Sequence, residues 1–71
     1  MFEKELFEDK VRKSNKTIAE TARFLGINRS TLYRKINQTA DFTRDEMIKL
    51  KVYLDLSLQE FMEVFYGRKV A

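Results

Sequence analysis

The sequence predicts an all-α fold of five short helices, on three observations. No proline interrupts its 71 residues, and apolar residues recur at spacings of three and four with little strand-like alternation. Three hydroxyl–carboxylate pairs, Thr17 with Glu20, Thr43 with Glu46 and Ser57 with Glu60, stand at the spacing of a capping box. In that arrangement each side chain satisfies the other residue's orphan backbone N–H, so each pair marks a helix start.

The first helix is predicted over residues 2–13, where Phe2, Leu6, Phe7, Lys10 and Val11 form one stripe and Ser14-Asn15-Lys16 ends it. The second spans 18–25 behind the Thr17 box, and the third spans 29–36 with Asn28 as its cap. The fourth, over 44–54, and the fifth, over 58–66, follow the other two boxes. Each carries the apolar pair of a hydrophobic staple, Phe42 with Met47 and Leu56 with Phe61. Gly67 is expected to close the fifth helix in a left-handed conformation. The predicted core is Phe7, Val11, Ile18, Ala22, Leu25, Ile27, Leu32, Ile36, Phe42, Met47, Leu50, Leu54, Leu58, Phe61, Met62 and Phe65. With no linker, repeat or low-complexity segment, residues 1–71 read as a single domain.

Composition excludes several function classes. There is no cysteine, hence no disulfide or thiolate metal site, and no histidine, the commonest general base and zinc ligand. The remaining carboxylates are accounted for by caps and exposed helix faces, so the sequence predicts neither an enzyme nor a metal or cofactor site. The acidic start, Met1-Phe-Glu-Lys-Glu-Leu-Phe-Glu-Asp9, is no signal peptide, and no apolar run is long enough for a membrane span. A soluble intracellular protein is expected.

Charge is unevenly placed. Between residues 10 and 40, eight cations (Lys10, Arg12, Lys13, Lys16, Arg23, Arg29, Arg34 and Lys35) face Glu20 alone, a local +7 in a chain whose net charge is +3. A basic segment within an otherwise acidic chain is what a polyanion-binding face needs, although a solvated surface can share it. The acidic cluster Glu3, Glu5, Glu8 and Asp9 is expected to be solvated and turned away from any polyanion.

The same segment contains a helix-turn-helix pattern over about 17–37. Ala22 is small enough for two helices to cross closely, and Gly26 falls where a turn requires positive φ. Ile27 packs in the turn, and Leu32 and Ile36 return to the core one helical turn apart.

These five positions resemble the helix-turn-helix of phage Cro and C1-type repressors, the XRE family. The downstream segments Asp41-Phe-Thr-Arg-Asp-Glu-Met-Ile-Lys-Leu-Lys51 and Leu54-Asp-Leu-Ser-Leu-Gln-Glu-Phe61 are similar to the last two helices of small Cro-like proteins from phages of Gram-positive bacteria. The resemblance implies a compact lambda-repressor-like DNA-binding domain in the cytoplasm of a bacterial host. The chain departs from that pattern in two places. Ile18 replaces a phosphate-gripping glutamine, and Asn37-Gln38-Thr39 replaces a glycine after the third helix, where asparagine's tolerance of the left-handed region would serve.

By the same resemblance Arg29, Ser30, Tyr33 and Arg34 face the bases of double-stranded DNA. The arginine fork suits the O6 and N7 edge of guanine, while Arg29 serves equally as a phosphate clamp. Lys16, Thr17, Asn28, Lys35, Asn37 and Gln38 flank the recognition helix as phosphate contacts, which fix register without reading sequence. Lys10, Arg12 and Lys13 extend that footprint or form a solvated face.

One such unit makes few contacts, and proteins of this kind act as dimers on half-sites one helical turn apart. The apolar fifth helix therefore offers a partner surface of Phe61, Val64, Phe65 and Tyr66, with Val70 beyond it. The implied function is a Cro-like repressor that binds operator DNA. The alternative is an anti-repressor or modulator of repression acting by binding another repressor protein, and an antitoxin would combine the two.

Overall fold

The computed structural model describes residues 1–67, and among them the secondary structure is entirely helical: α1 (Lys4–Lys13), α2 (Ile18–Leu25), α3 (Arg29–Ile36), α4 (Arg44–Tyr53) and α5 (Leu58–Tyr66). The tail at 68–71, including Val70, lies outside the described residues. Thr17, Thr43 and Ser57 each close a reciprocal capping box with Glu20, Glu46 and Glu60, while Asn28 caps α3 by accepting the Thr31 N–H at 2.8 Å.

Helix α1 starts two residues later than its apolar stripe predicts. The Glu3 N–H donates to the Val64 carbonyl at 2.8 Å and the Met1 ammonium to the Tyr66 carbonyl at 2.8 Å, so the first residues run extended along the end of α5. Phe2 then turns inward, with ring centroids 5.1–5.6 Å from Phe7, Phe42 and Phe65. Gly67 sits under this arm at φ 65°, and a Cβ there would meet the Met1 carbonyl and the Glu3 carboxylate at 2.9 Å.

The four interhelical turns share one closure, a Schellman motif around a left-handed residue: Asn15, Gly26, Gln38 and Asp55. In each, the next N–H reaches back to the last helical turn, as Ile27 does to Ala22 and Thr39 to Arg34. At Gly26 nothing lies within 4 Å of a would-be Cβ, so the dihedral alone, and not a close approach, favours glycine there. After α3 the left-handed residue is Gln38 (φ 64°) and not Asn37, whose φ is −85°. Asn37 is the last cap residue, and the motif reserves positive φ for the position after it.

The core is buried by all five helices: Phe7 and Val11 from α1, Ala22 from α2, Leu32 and Ile36 from α3, Leu50 and Leu54 at α4, and Val64 and Phe65 from α5. Thr21, also buried, donates its hydroxyl to the Thr17 carbonyl at 2.8 Å and so enters the core satisfied. Two predicted core members are absent. Leu58 opens α5 and points out, 66% exposed, and Met62 is half-buried outside the cluster. Leu56 and Val64 take their place.

Candidate nucleic-acid interface

Leu32 and Ile36 anchor one side of α3 at full burial, which turns the opposite side out. Arg29, Ser30, Tyr33 and Arg34 are all exposed there. Among the described residues no carboxylate pairs with Arg29 or Arg34, and each guanidinium keeps its planar donor fork for another acceptor. The Ser30 hydroxyl donates to the Asn28 carbonyl oxygen of the side chain at 2.8 Å, so in this rotamer it presents lone pairs outward and accepts.

The flanking residues divide. Thr17 Oγ1 accepts the Glu20 N–H at 3.0 Å, which leaves its proton free to donate to a phosphate. Asn28 spends its side-chain oxygen on α3 and keeps its amide N–H groups. Asn37 and Gln38 are exposed beside the end of α3. Lys16 lies 4.8 Å over the Tyr53 ring, and Tyr53 in turn stacks on Phe24 at 4.1 Å and 14°. This column holds the Lys16 ammonium next to the start of α2. Nothing in the local sequence signals Tyr53 as its support, because the contact depends on where α4 ends in space.

Lys35 departs from its predicted role as a phosphate contact. Its side chain is 11% exposed, with the ammonium 3.0 Å from Glu46 and 2.8 Å from the Asp41 carbonyl. It fastens the end of α3 to the start of α4. Burial works to raise the Glu46 carboxyl's pKa, but the Thr43 N–H and Lys35 outweigh it and hold it below the ordinary range.

Pairing sorts the rest of the basic block in the same way. Lys10 meets Glu60 at 2.7 Å, and Arg12 and Lys13 both meet Asp9 at 3.0 Å. The Asp9 carboxyl is held low chiefly by its hydrogen bond from Lys13. Lys10 and the Ser57 N–H hold Glu60 down to about 2. Of the eight cations between residues 10 and 40, those without a carboxylate among the described residues are Lys16, Arg23, Arg29 and Arg34, all on the α2–α3 unit or at its start.

The predicted partner surface on α5 does not survive packing. Val64 is fully buried and Phe65 6% exposed, because the N-terminal arm and Phe42 cover the side of α5 that an isolated helix would leave bare. Phe61 packs half-buried against the core, which leaves Tyr66, at 42% exposure, as the one open member of the four.

The described residues include no helix long and apolar enough to cross a membrane. Residues 1–38 match the family model described as bacterial regulatory protein, Fis family. The match takes in α1, α2 and α3 and stops at Gln38, the residue that closes α3. It identifies a helix-turn-helix DNA-binding domain, and not the Cro and C1-type family in particular. No curated protein and no solved structure matches the chain.

Proposed function

We propose that this chain, which belongs to the Fis family of bacterial regulatory proteins, is a sequence-specific transcriptional regulator that reads operator DNA through the major groove with α3. The observation that carries the reading is the free pair Arg29 and Arg34 on the outer side of α3, in a molecule that closes its other α3 cation, Lys35, into an ion pair. In this reading Arg34 and Arg29 donate bidentately to guanine edges, Tyr33 presses on a thymine methyl or reaches a phosphate, and Ser30 accepts from a base. Thr17, Asn28, Lys16, Asn37 and Gln38 hold the backbone on either side.

Within these residues the mode of regulation that needs nothing further is Cro-like occupancy, in which the bound domain blocks RNA polymerase. The anti-repressor reading loses most of its basis, since burial of Val64 and Phe65 removes the apolar surface it required. What it retains is Ile18 in place of a phosphate-gripping glutamine.

The test is titration of the protein against a fluorescent duplex carrying the intergenic DNA beside its own gene, with random duplex as competitor. Competitor-resistant binding that weakens steeply with added salt is the expected result. Binding equal to that of random DNA would overturn sequence-specific reading.

A further inference from the structure

The family match ends at Gln38, yet a side chain well beyond it reaches the basic face. Tyr53 is the last residue of α4, and the core fixes its place, since Leu50 and Leu54 around it are both buried. Phe24 stacks on one face of the Tyr53 ring, which leaves the other face to the Lys16 ammonium, 4.8 Å from the centroid. Three segments distant in sequence meet in this column: the turn before α2, the last turn of α2 and the end of α4. Phe24 remains 43% exposed, so the column stands at the surface of the molecule.

We propose that Tyr53 is a positioning residue for DNA binding, its ring ordering Lys16 before a phosphate arrives and so bringing α4 into the interface. A mobile lysine surrenders rotamer freedom when it grips a phosphate, and one already ordered on a ring surrenders less. A carboxylate could order the side chain too, but it would offset the charge, as Asp9 does for Lys13 at 3.0 Å. The aromatic face orders the ammonium without neutralising it. The N–H groups turned away from the ring stay available for a phosphate oxygen. The proposal rests on the reading of Lys16 as a phosphate contact. To that reading it adds Tyr53 and its backing ring Phe24, neither of which has a part in sequence recognition.

Salt-dependent titration of the full chain against the intergenic duplex and against random duplex tests it. A phosphate contact reads no sequence, so each loss should be equal on the two duplexes. Lys16→Ala should flatten the log–log salt dependence by about one. Tyr53→Leu should weaken binding about two- to tenfold, whereas Tyr53→Phe, which keeps both ring faces, should bind like wild type. With Lys16 already alanine, Tyr53→Leu should cost nothing further, while a merely structural tyrosine would add its own loss. Should Tyr53→Leu fail to fold, Phe24→Leu at its exposed site removes the stack and should weaken binding in the same Lys16-dependent way. Unchanged affinity in Lys16→Ala or in Tyr53→Leu, an equal loss in Tyr53→Phe, or additive losses in the double variant would overturn the proposal. Arg34→Ala should lose affinity for the intergenic duplex selectively, so a failure of sequence reading and a failure of positioning give different results. A wild type that binds neither duplex would overturn the DNA reading itself.

Discussion

Among the described residues, Lys16, Arg23, Arg29 and Arg34 on the α2–α3 side stand without carboxylate partners, whereas on the α1, α4 and α5 side Lys10, Arg12, Lys13 and Lys49 are each within 3.1 Å of one and Lys4, Arg44 and Lys51 are not. The boundary between the two regimes runs between adjacent residues, Arg34 facing out and Lys35 held at Glu46. Identical formal charge thus has two uses. Lys10 and Lys35 tie helices together, Arg12, Lys13 and Lys49 pair within their own helices, and unpaired cations leave a field for a polyanion. Total charge cannot distinguish them; pairing geometry can.

The largest expected effect removes both sides at once. Leu32→Ala deletes a fully buried side chain on which α3 rests, at a cost of about 2–5 kcal/mol, a large fraction of what a domain this small has. Thermal melting by circular dichroism should show a strongly lowered midpoint, with DNA binding lost in parallel. Next, Lys35→Ala leaves the Glu46 carboxylate half-satisfied between α3 and α4 and should cost about 1–2 kcal/mol of stability. Below its melting range that variant should bind DNA like wild type, which places Lys35 on the structural side of the divide.

A smaller effect depends on pH. The Glu60 carboxyl is held at about 2 in the folded chain against 4.5 ordinarily, so folding favours its ionised form. Its contribution is therefore fully present above about 4.5 and is lost as pH falls toward 2. Because the carboxylate is 37% exposed, water screens it to about 1 kcal/mol or less. Urea midpoints measured through this acid range should fall less steeply in Glu60→Gln than in wild type. The smallest effect is a gain. Gln38 occupies φ 64°, where a side chain costs about 1–2 kcal/mol that glycine avoids while losing about 0.5–1 kcal/mol of chain entropy on folding. Gln38→Gly should therefore raise the midpoint slightly, and if Gln38 touches phosphate, operator affinity should fall at the same time.

Local chemistry makes much of this fold legible in the sequence. The capping boxes at Thr17, Thr43 and Ser57, the Asn28 cap and the turn at Gly26 each depend on residues within a few positions of one another. So does the outward face of α3, because Leu32 and Ile36 fix its orientation. What stayed hidden depends on elements distant in sequence. Lys35 reads as one more cation beside Arg34 until Thr43-Arg44-Asp45-Glu46 returns beneath it. Val64 reads as surplus apolar surface until Phe2 and Glu3 fold back over the end of α5, while Phe65, read both as core and as partner surface, is core. Leu58 fits the apolar count of α5 but, as its first residue, projects away from the core. The positive φ at Gln38 was misplaced by one residue because the motif, and not residue preference, sets its position.

The central claim is that Arg34 reads DNA while its neighbour Lys35 holds the fold. Equilibrium titration of one operator duplex with wild type, Arg34→Ala and Lys35→Ala, each below its measured melting range, tests it most directly. The account expects Arg34→Ala to lose about 1–3 kcal/mol of binding with an unchanged melting midpoint, and Lys35→Ala to keep its affinity with a lowered midpoint. Unchanged affinity in Arg34→Ala, or a loss confined to Lys35→Ala, would contradict it.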